Sequence, residues 1–279
     1  IYIRTPKPDA ANMVQASVLY QDGTTENLQS AAILKNKCVF VQPLQPNKIP
    51  QKVTVVTNRQ EELLFHFSRV LYPGKADKFT FNSGLSLEFP KNAIFDTTYL
   101  EVQEKISKLK NACSAEYSIG DDDIPLFRKY TVKILMNQEA KKYRKNQIVL
   151  VKKVGGNTFY QSYGYVSGNY YISPVNSYGT FLLLPDTISP VVKPLNFVNG
   201  AAVSSDFPKF RFEAYDNLSG ISPYLIYATL DGQWVVPEFD EDSRTIEIIP
   251  RKPLSPGKHT FQFRIVDYAG NYSIKNFDI

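Results

Sequence analysis

The chain is poor in the residues that most enzymes use for metal binding and nucleophilic catalysis. Its 279 residues include two histidines, two cysteines, two methionines and one tryptophan. A catalytic zinc site takes three protein ligands, often two or three of them histidine, and a Ser-His-Asp triad needs a histidine beside its nucleophile. His66 and His259 are distant in the sequence, and neither lies near a G-x-S-x-G motif. We therefore expect two surface histidines and a chain that is not by itself an enzyme.

The same shortage of ligands leads us to expect no cofactor and no metal. Two acidic runs, Asp121–Asp123 and Phe239–Asp242, lack the D-x-D-x-D-G spacing of a calcium loop and are interpreted as exposed turns. Melting is then expected to be unchanged by a chelator. A glycosidase with paired carboxylates stays open as an alternative, because any chain with 27 acidic residues contains some such pair.

Long apolar runs are also lacking. No window approaches 18 consecutive apolar residues, and no basic segment followed by an apolar one opens the chain. These features predict neither a membrane span nor a signal peptide within it. Because the chain begins at Ile1 rather than Met, we expect a fragment of a longer protein.

Charge and cysteine content exclude two further classes. The net charge of +5 is spread along the chain, and the basic run Lys141–Lys145 is accompanied by no recognition motif. We expect no nucleic-acid partner and favour a solvated loop over a phosphate site at this run. Cys38 and Cys113 are too few for a disulfide scaffold and fall in different predicted domains, so we expect two unpaired buried thiols.

Period-2 alternation of apolar and polar residues dominates the sequence, and helical periodicity is nearly absent. The 18 tyrosines and 18 phenylalanines suit half-buried pleated surfaces. Short alternating segments bounded by Gly, Pro, Asn and Asp predict an all-β fold of tandem immunoglobulin-like β-sandwich domains. The predicted domains are residues 1–74, possibly an incomplete sandwich, residues 75–186, and residues 187–279.

Three local predictions follow from the same pattern. Leu63–Val70 alternates without interruption and is predicted to be one strand. Lys105–Ala112 is the one stretch that favours a short helix or a long loop. The three prolines of Leu184–Pro194 predict a semi-rigid linker between the second and third domains.

Aromatic residues supply the candidate contact site. Tyr163, Tyr165, Tyr170 and Tyr171 are candidates for contact with a glycan or a partner, because tyrosines can form a platform on which sugar rings stack. Packing of hairpin aromatics across neighbouring strands is the alternative. Trp234 is interpreted as a residue of the third core.

Several motifs of the third segment occur in a distinctive order: DNLSGI at Asp216–Ile221, LDGQW at Leu230–Trp234, PGKHTF at Pro256–Phe261 and VDYAGN at Val266–Asn271. In this order they resemble a bacterial immunoglobulin-like repeat. With the segment Gly84–Val102 they are similar to the C-terminal β-sandwich tail of lysostaphin-type (LytM-like) peptidoglycan zinc endopeptidases of Gram-negative envelopes. That family's His-x-x-x-Asp and His-x-His zinc motifs are absent here, so no catalytic or metal residue is carried over.

The resemblance implies a non-catalytic accessory region that positions or docks a peptidoglycan hydrolase. Expected partners are then peptidoglycan or a peptidase domain upstream of Ile1. The implied location is periplasmic, outer-membrane-associated or secreted. A surface adhesion or glycan-binding protein built of the same modules is the alternative, because fold alone does not decide between these functions.

Overall fold

The computed structural model describes residues 2–6, 14–34, 37–41, 45, 48–56, 60–204 and 209–279. Within these residues, the helical segments are three short 3-10 turns at Glu139–Lys142, Lys145–Gln147 and Pro223–Leu225. No helix in the described ranges has the length and apolar character needed to cross a bilayer. All other regular structure is strand in antiparallel sheets, so the predicted all-β class is confirmed, and the several sheets are consistent with multiple β-sandwich domains.

The strands are numbered in chain order from β1 to β26. Their bounds are β1 Tyr2–Pro6, β2 Gln15–Tyr20, β3 Thr25–Leu28, β4 Ser30–Leu34, β5 Lys37–Val41, β6 Pro50–Val56, β7 Gln60–Leu64, β8 Phe67–Leu71, β9 Asp77–Thr80, β10 Leu85–Phe89, β11 Thr98–Lys105, β12 Glu116–Ile119 and β13 Tyr130–Leu135. The remaining strands are β14 Ile148–Val154, β15 Asn157–Ser162, β16 Tyr165–Ser167, β17 Tyr170–Val175, β18 Gly179–Pro185, β19 Val191–Pro194, β20 Phe210–Tyr215, β21 Tyr227–Leu230, β22 Gln233–Val235, β23 Glu238–Asp240, β24 Thr245–Ile248, β25 Thr260–Val266 and β26 Tyr272–Asp278.

The chain divides into two compact units. The first comprises residues 1–105, 117–132 and 175–180, and the second comprises residues 106–116, 133–174 and 181–279. The first unit contains a sheet of order β1-β5-β4 and a sheet of order β3-β2-β6-β7. A core formed by alternate residues of β2 and β6 together with one residue of β5 consists of Ala16, Val18, Tyr20, Phe40, Val53 and Val55. The predicted boundaries after residues 74 and 186 stay a prediction.

The second unit contains two four-stranded sheets that share one core, and we call β19–β26 the C-terminal sandwich. The sheet orders are β19-β20-β24-β23 and β22-β21-β25-β26. Alternate residues of β20 and β25 point inward, and Phe210, Phe212, Phe261 and Phe263 are each fully buried. The period-2 pattern of these segments therefore placed their core residues correctly.

Two predicted elements differ from the structure. Leu63–Val70 is interrupted at Phe65 and His66, because β7 pairs with β6 in one sheet whereas β8 pairs with β11 in another. The predicted Leu184–Pro194 linker belongs to strands at both of its ends: β18 extends through Pro185, and β19 begins at Val191. Lys105–Ala112 contains no helix; after Lys105, the last residue of β11, it is a loop.

Cys113 is a free, buried thiol. Burial is the main cause that raises the pKa of this thiol to about 12. Cys38 lies in β5, and its side chain is outside the described part of the chain. The titration of two free thiols stays a prediction.

The interpretation of Trp234 as a core residue is wrong. It lies in β22, a three-residue edge strand, and is 55% exposed. The next residue, Val235, packs against the core, so alternation turns Trp234 to the opposite face. A large aromatic side chain is therefore left on the solvent side of this strand.

Trp234→Ala is expected to lower the free energy of unfolding by less than about 1 kcal/mol, because substitutions at exposed positions seldom cost more. Denaturant unfolding followed by circular dichroism measures this. A loss of about 3 kcal/mol or more would contradict the exposed position and restore the core interpretation.

Candidate functional site

Two hairpins of the second unit bring the predicted tyrosines close together. β14 pairs with β15, and β16 pairs with β17 in the register Val166 to Tyr171. Tyr163 and Gly164 form the connection between β15 and β16. The chain therefore presents two tyrosines, Tyr163 and Tyr165, on either side of a single glycine.

These residues line a surface groove of about 230 Å³. Three of the four predicted contact residues, Tyr163, Tyr165 and Tyr171, belong to its lining, whereas Tyr170 does not. Tyr170 instead stacks beneath the ammonium of Lys133, whose nitrogen lies 4.2 Å from the ring centroid. The volume is below the roughly 300–1,000 Å³ of pockets that enclose drug-sized ligands, so the groove suits a single ring-sized group.

The groove has one packed wall and one open rim. The rings of Tyr160 and Tyr268 stack with their centroids 5.8 Å apart and their planes 11° from parallel. Tyr163 and Tyr165, which are 66% and 59% exposed, form the open rim. Sequence reasoning missed Tyr268, because it reaches the groove from the turn after β25.

Gly164 fits closely beneath Tyr171. A Cβ at this position would lie 2.5 Å from both the Ile172 carbonyl oxygen and Cε1 of Tyr171. Any larger residue would therefore push the Tyr171 ring or the β17 backbone away from the groove. Tyr171 is only 3% exposed, and this burial raises its pKa to about 12, so the hydroxyl stays protonated at neutral pH.

Polar groups lie beside the aromatic surface. Lys145 and Asn146 belong to the groove lining and are exposed. The Asn146 amide donates to the Ala269 carbonyl at 2.7 Å, which holds the turn that carries Tyr268. The groove therefore combines apolar ring faces, tyrosine hydroxyls and one ammonium group, a combination that can stack against a sugar ring and hydrogen-bond its hydroxyls.

The two histidines lie in different units. His66 lies between β7 and β8, beside a shallow pocket formed with Gln21 and Gln51. His259, expected at the surface, is only 9% exposed: Nδ1 lies 2.6 Å from Oδ2 of Asp231, and Nε2 lies 2.7 Å from the Ser255 carbonyl oxygen. The hydrogen bond to Asp231 is the main cause that raises the pKa of His259. Both ring nitrogens therefore have a hydrogen-bond partner, which fits a structural role for His259 immediately before β25.

The charged residues of the two acidic runs and the basic run have the exposed positions that the sequence predicted for them. Asp121–Asp123 is an exposed turn. The turn after β23 is exposed and is closed by Asp240, whose carboxylate accepts from the Asp242 amide and the Ser243 hydroxyl. Lys141–Lys145 spans two 3-10 turns with its lysines exposed, in keeping with the solvated-loop interpretation.

Sequence reasoning missed a group of three aspartates in the second unit. Asp186, Asp216 and Asp267 each offer a carboxylate oxygen to one small cluster. Each directly follows a strand, at the ends of β18, β20 and β25. An aspartate immediately after an apolar strand was the available signal, but aspartate is also a common turn residue.

The fold and the groove define an all-β protein of several antiparallel sheets with an aromatic surface groove. Residues 70–186 match a family model described as a Zu5-like domain. Nothing in this match links the segment to lysostaphin-type peptidases. No curated protein matches the chain.

Proposed function

We propose that this chain is a non-catalytic glycan-binding module of the bacterial cell envelope, with the groove at Tyr163 and Tyr165 as its binding site. The observation that supports the proposal is the convergence of exposed and stacked tyrosines with one ammonium group in a groove of single-ring size. Exposed aromatic rings at a concave site lose little conformational entropy on binding and bury a large apolar area.

The ligand we propose is the glycan strand of peptidoglycan. Its alternating amino sugars expose apolar ring faces for stacking, and the peptides attached to every second sugar carry carboxylates that Lys145 can attract. A position beside a peptidoglycan hydrolase, as the motif order of the third segment suggests, is the context we propose for this binding. The proposed location is then periplasmic, outer-membrane-associated or secreted.

The groove is tested by the double substitution Tyr163→Ala and Tyr165→Ala. We expect the variant to bind purified peptidoglycan at least about tenfold more weakly than the parent, because two stacking surfaces are lost. Sedimentation with insoluble peptidoglycan measures the bound fraction over a range of protein concentrations. Stability is expected to change little, since both rings are more than half exposed.

Tyr227→Ala is the matched control, because Tyr227 is 49% exposed on β21 and is not part of the groove lining. It is expected to bind as the parent does. Equal binding by all three proteins would reject the groove as the site. A parent protein that binds a soluble polysaccharide but not peptidoglycan, and loses this binding in the double variant, would contradict the wall ligand. It would support the alternative of a surface adhesion or glycan-binding protein.

A further inference from the structure

Three loops of the second unit bring three carboxylates together. Asp186 follows β18, Asp216 follows β20 and Asp267 follows β25. One carboxylate oxygen of each lies within 4.8 Å of the other two. Asp186 and Asp267 are each only 1% exposed.

The hydrogen bonds of these carboxylates come from neutral groups. Asp186 accepts from the Ser219 amide at 2.9 Å, and Asp267 accepts from the Asn271 amide at 2.7 Å and the Asn271 side chain at 2.9 Å. In the described part of the chain, none of the three aspartates forms an ion pair with a basic side chain. The Arg144 guanidinium reaches only Oδ1 of Asn271, at 3.5 Å.

One oxygen of the cluster has no partner. Oδ2 of Asp216 accepts from the amides of Leu218 and Gly220, whereas Oδ1 of Asp216 is fully buried and accepts no hydrogen bond. A buried carboxylate oxygen without a donor costs free energy, and this cost is greater beside two further carboxylates. A cation bound here would give Oδ1 of Asp216 a partner. It would also offset the repulsion among the three carboxylates.

We propose that Asp186, Asp216 and Asp267 bind one calcium ion. Calcium takes six to eight oxygen ligands at about 2.3–2.6 Å, so two ligand oxygens on opposite sides of the ion lie about 4.6–5.2 Å apart. The three oxygens, all within 4.8 Å of one another, fit inside this sphere. Magnesium demands a near-ideal octahedron and usually keeps several waters, and zinc favours nitrogen and sulfur ligands.

The site goes beyond the proposed glycan binding and rests on different residues. It also has a consequence for the groove, because Tyr268 directly follows Asp267 and stacks on Tyr160. The ion would hold the turn Asp267–Asn271 in the position that forms the groove wall. It would also join that turn to Asp186 at the end of β18. This reverses the expectation from the sequence that a chelator leaves melting unchanged.

The test is the melting temperature of the whole chain after removal of bound metal with EDTA. At a calcium concentration about 100 times the Kd, the melting temperature is expected to rise by about 5 °C or more, because only the folded state holds the three oxygens together. Sodium chloride of equal ionic strength is the solvent control. Calorimetric titration is expected to give one calcium per chain.

The variant Asp216→Asn tests whether Asp216 is a metal ligand or only a structural side chain. The amide oxygen of the introduced side chain can still accept from Leu218 and Gly220, while the buried oxygen and one negative charge are lost. We expect this variant to be at least as stable as the parent in EDTA and to gain less than about 1 °C from calcium. Asp240→Asn, in an exposed turn, is expected to keep the full calcium response.

Two results would overturn the proposal. One is a parent protein that melts at the same temperature in EDTA and in calcium and shows no calorimetric binding. The other is an Asp216→Asn variant that responds to calcium as the parent does. Calorimetry on the parent decides the question even if the variant fails to fold. A parent protein that binds calcium but does not bind peptidoglycan would count against the glycan proposal alone.

Discussion

Phe212→Ala is expected to lower the free energy of unfolding of the C-terminal sandwich by about 3–5 kcal/mol, the usual range for removal of a buried aromatic ring. Phe212 is fully buried at the middle of β20. Its ring centroid lies 4.5 Å from that of Phe263 and 5.4 Å from that of Phe261. Its removal therefore opens a cavity between the two sheets that rigid strands cannot close.

The chain carries its own probe for this measurement. Trp234 is the single tryptophan and lies in β22 of the same sandwich, so its fluorescence reports the unfolding of this part of the chain. Denaturant titration is expected to show a lower midpoint with an unchanged slope. Phe159→Ala, at a ring that is 53% exposed on β15, is the control and is expected to change stability by less than about 1 kcal/mol. Equal midpoints for the two variants would show that the aromatic core is not the main source of stability.

The alternation that predicted the strands succeeded where a segment has one buried face and one solvated face. In β25 the buried residues Phe261, Phe263 and Ile265 alternate with exposed Gln262 and Arg264. Such a pattern is a local property of the chain, so a single sequence contains it. The all-β class was therefore predictable without knowledge of any contact between distant residues.

Alternation failed where a strand is short or lies at an edge. Trp234 was assigned to the core, yet a three-residue edge strand offers too few positions to establish which face is inward. At Phe65 and His66 the pattern continues although the strand does not, and the rings of Phe65 and Phe67 still stack with centroids 5.2 Å apart. The break marks a change of pairing partner, from β6 for β7 to β11 for β8, which no pattern within the segment reveals.

The two candidate sites also differ in how far they could be predicted from the sequence. Tyr163, Tyr165 and Tyr171 are neighbours in the sequence, and a pair of hairpins is enough to bring them together. Asp186 and Asp267 belong to strand ends that are distant in the sequence, and their proximity depends on the packing of the whole second unit. Sequence reasoning therefore predicted three tyrosines of the groove and none of the aspartate cluster.

Lys153→Met is expected to lower the free energy of unfolding by about 3 kcal/mol, because it removes the cation of a buried ion pair. The side chain of Glu116 is 2% exposed, and its two oxygens lie 3.0 and 3.1 Å from Nζ of Lys153. The Ser107 hydroxyl also donates to Oε1 of Glu116, at 2.9 Å, so we expect a loss at the lower end of the usual range for a broken buried pair.

The control for this prediction is a lysine whose ion pair is solvated. Lys142→Met removes an ion pair with Glu139 in which the lysine side chain is 67% exposed, and it is expected to cost less than about 0.5 kcal/mol. Thermal unfolding followed by circular dichroism compares the two variants. Adding Glu116→Gln to Lys153→Met is expected to restore part of the loss, since the buried charge is then absent. A Lys153→Met protein as stable as Lys142→Met would mean that water reaches Glu116 and that the pair is not buried in solution.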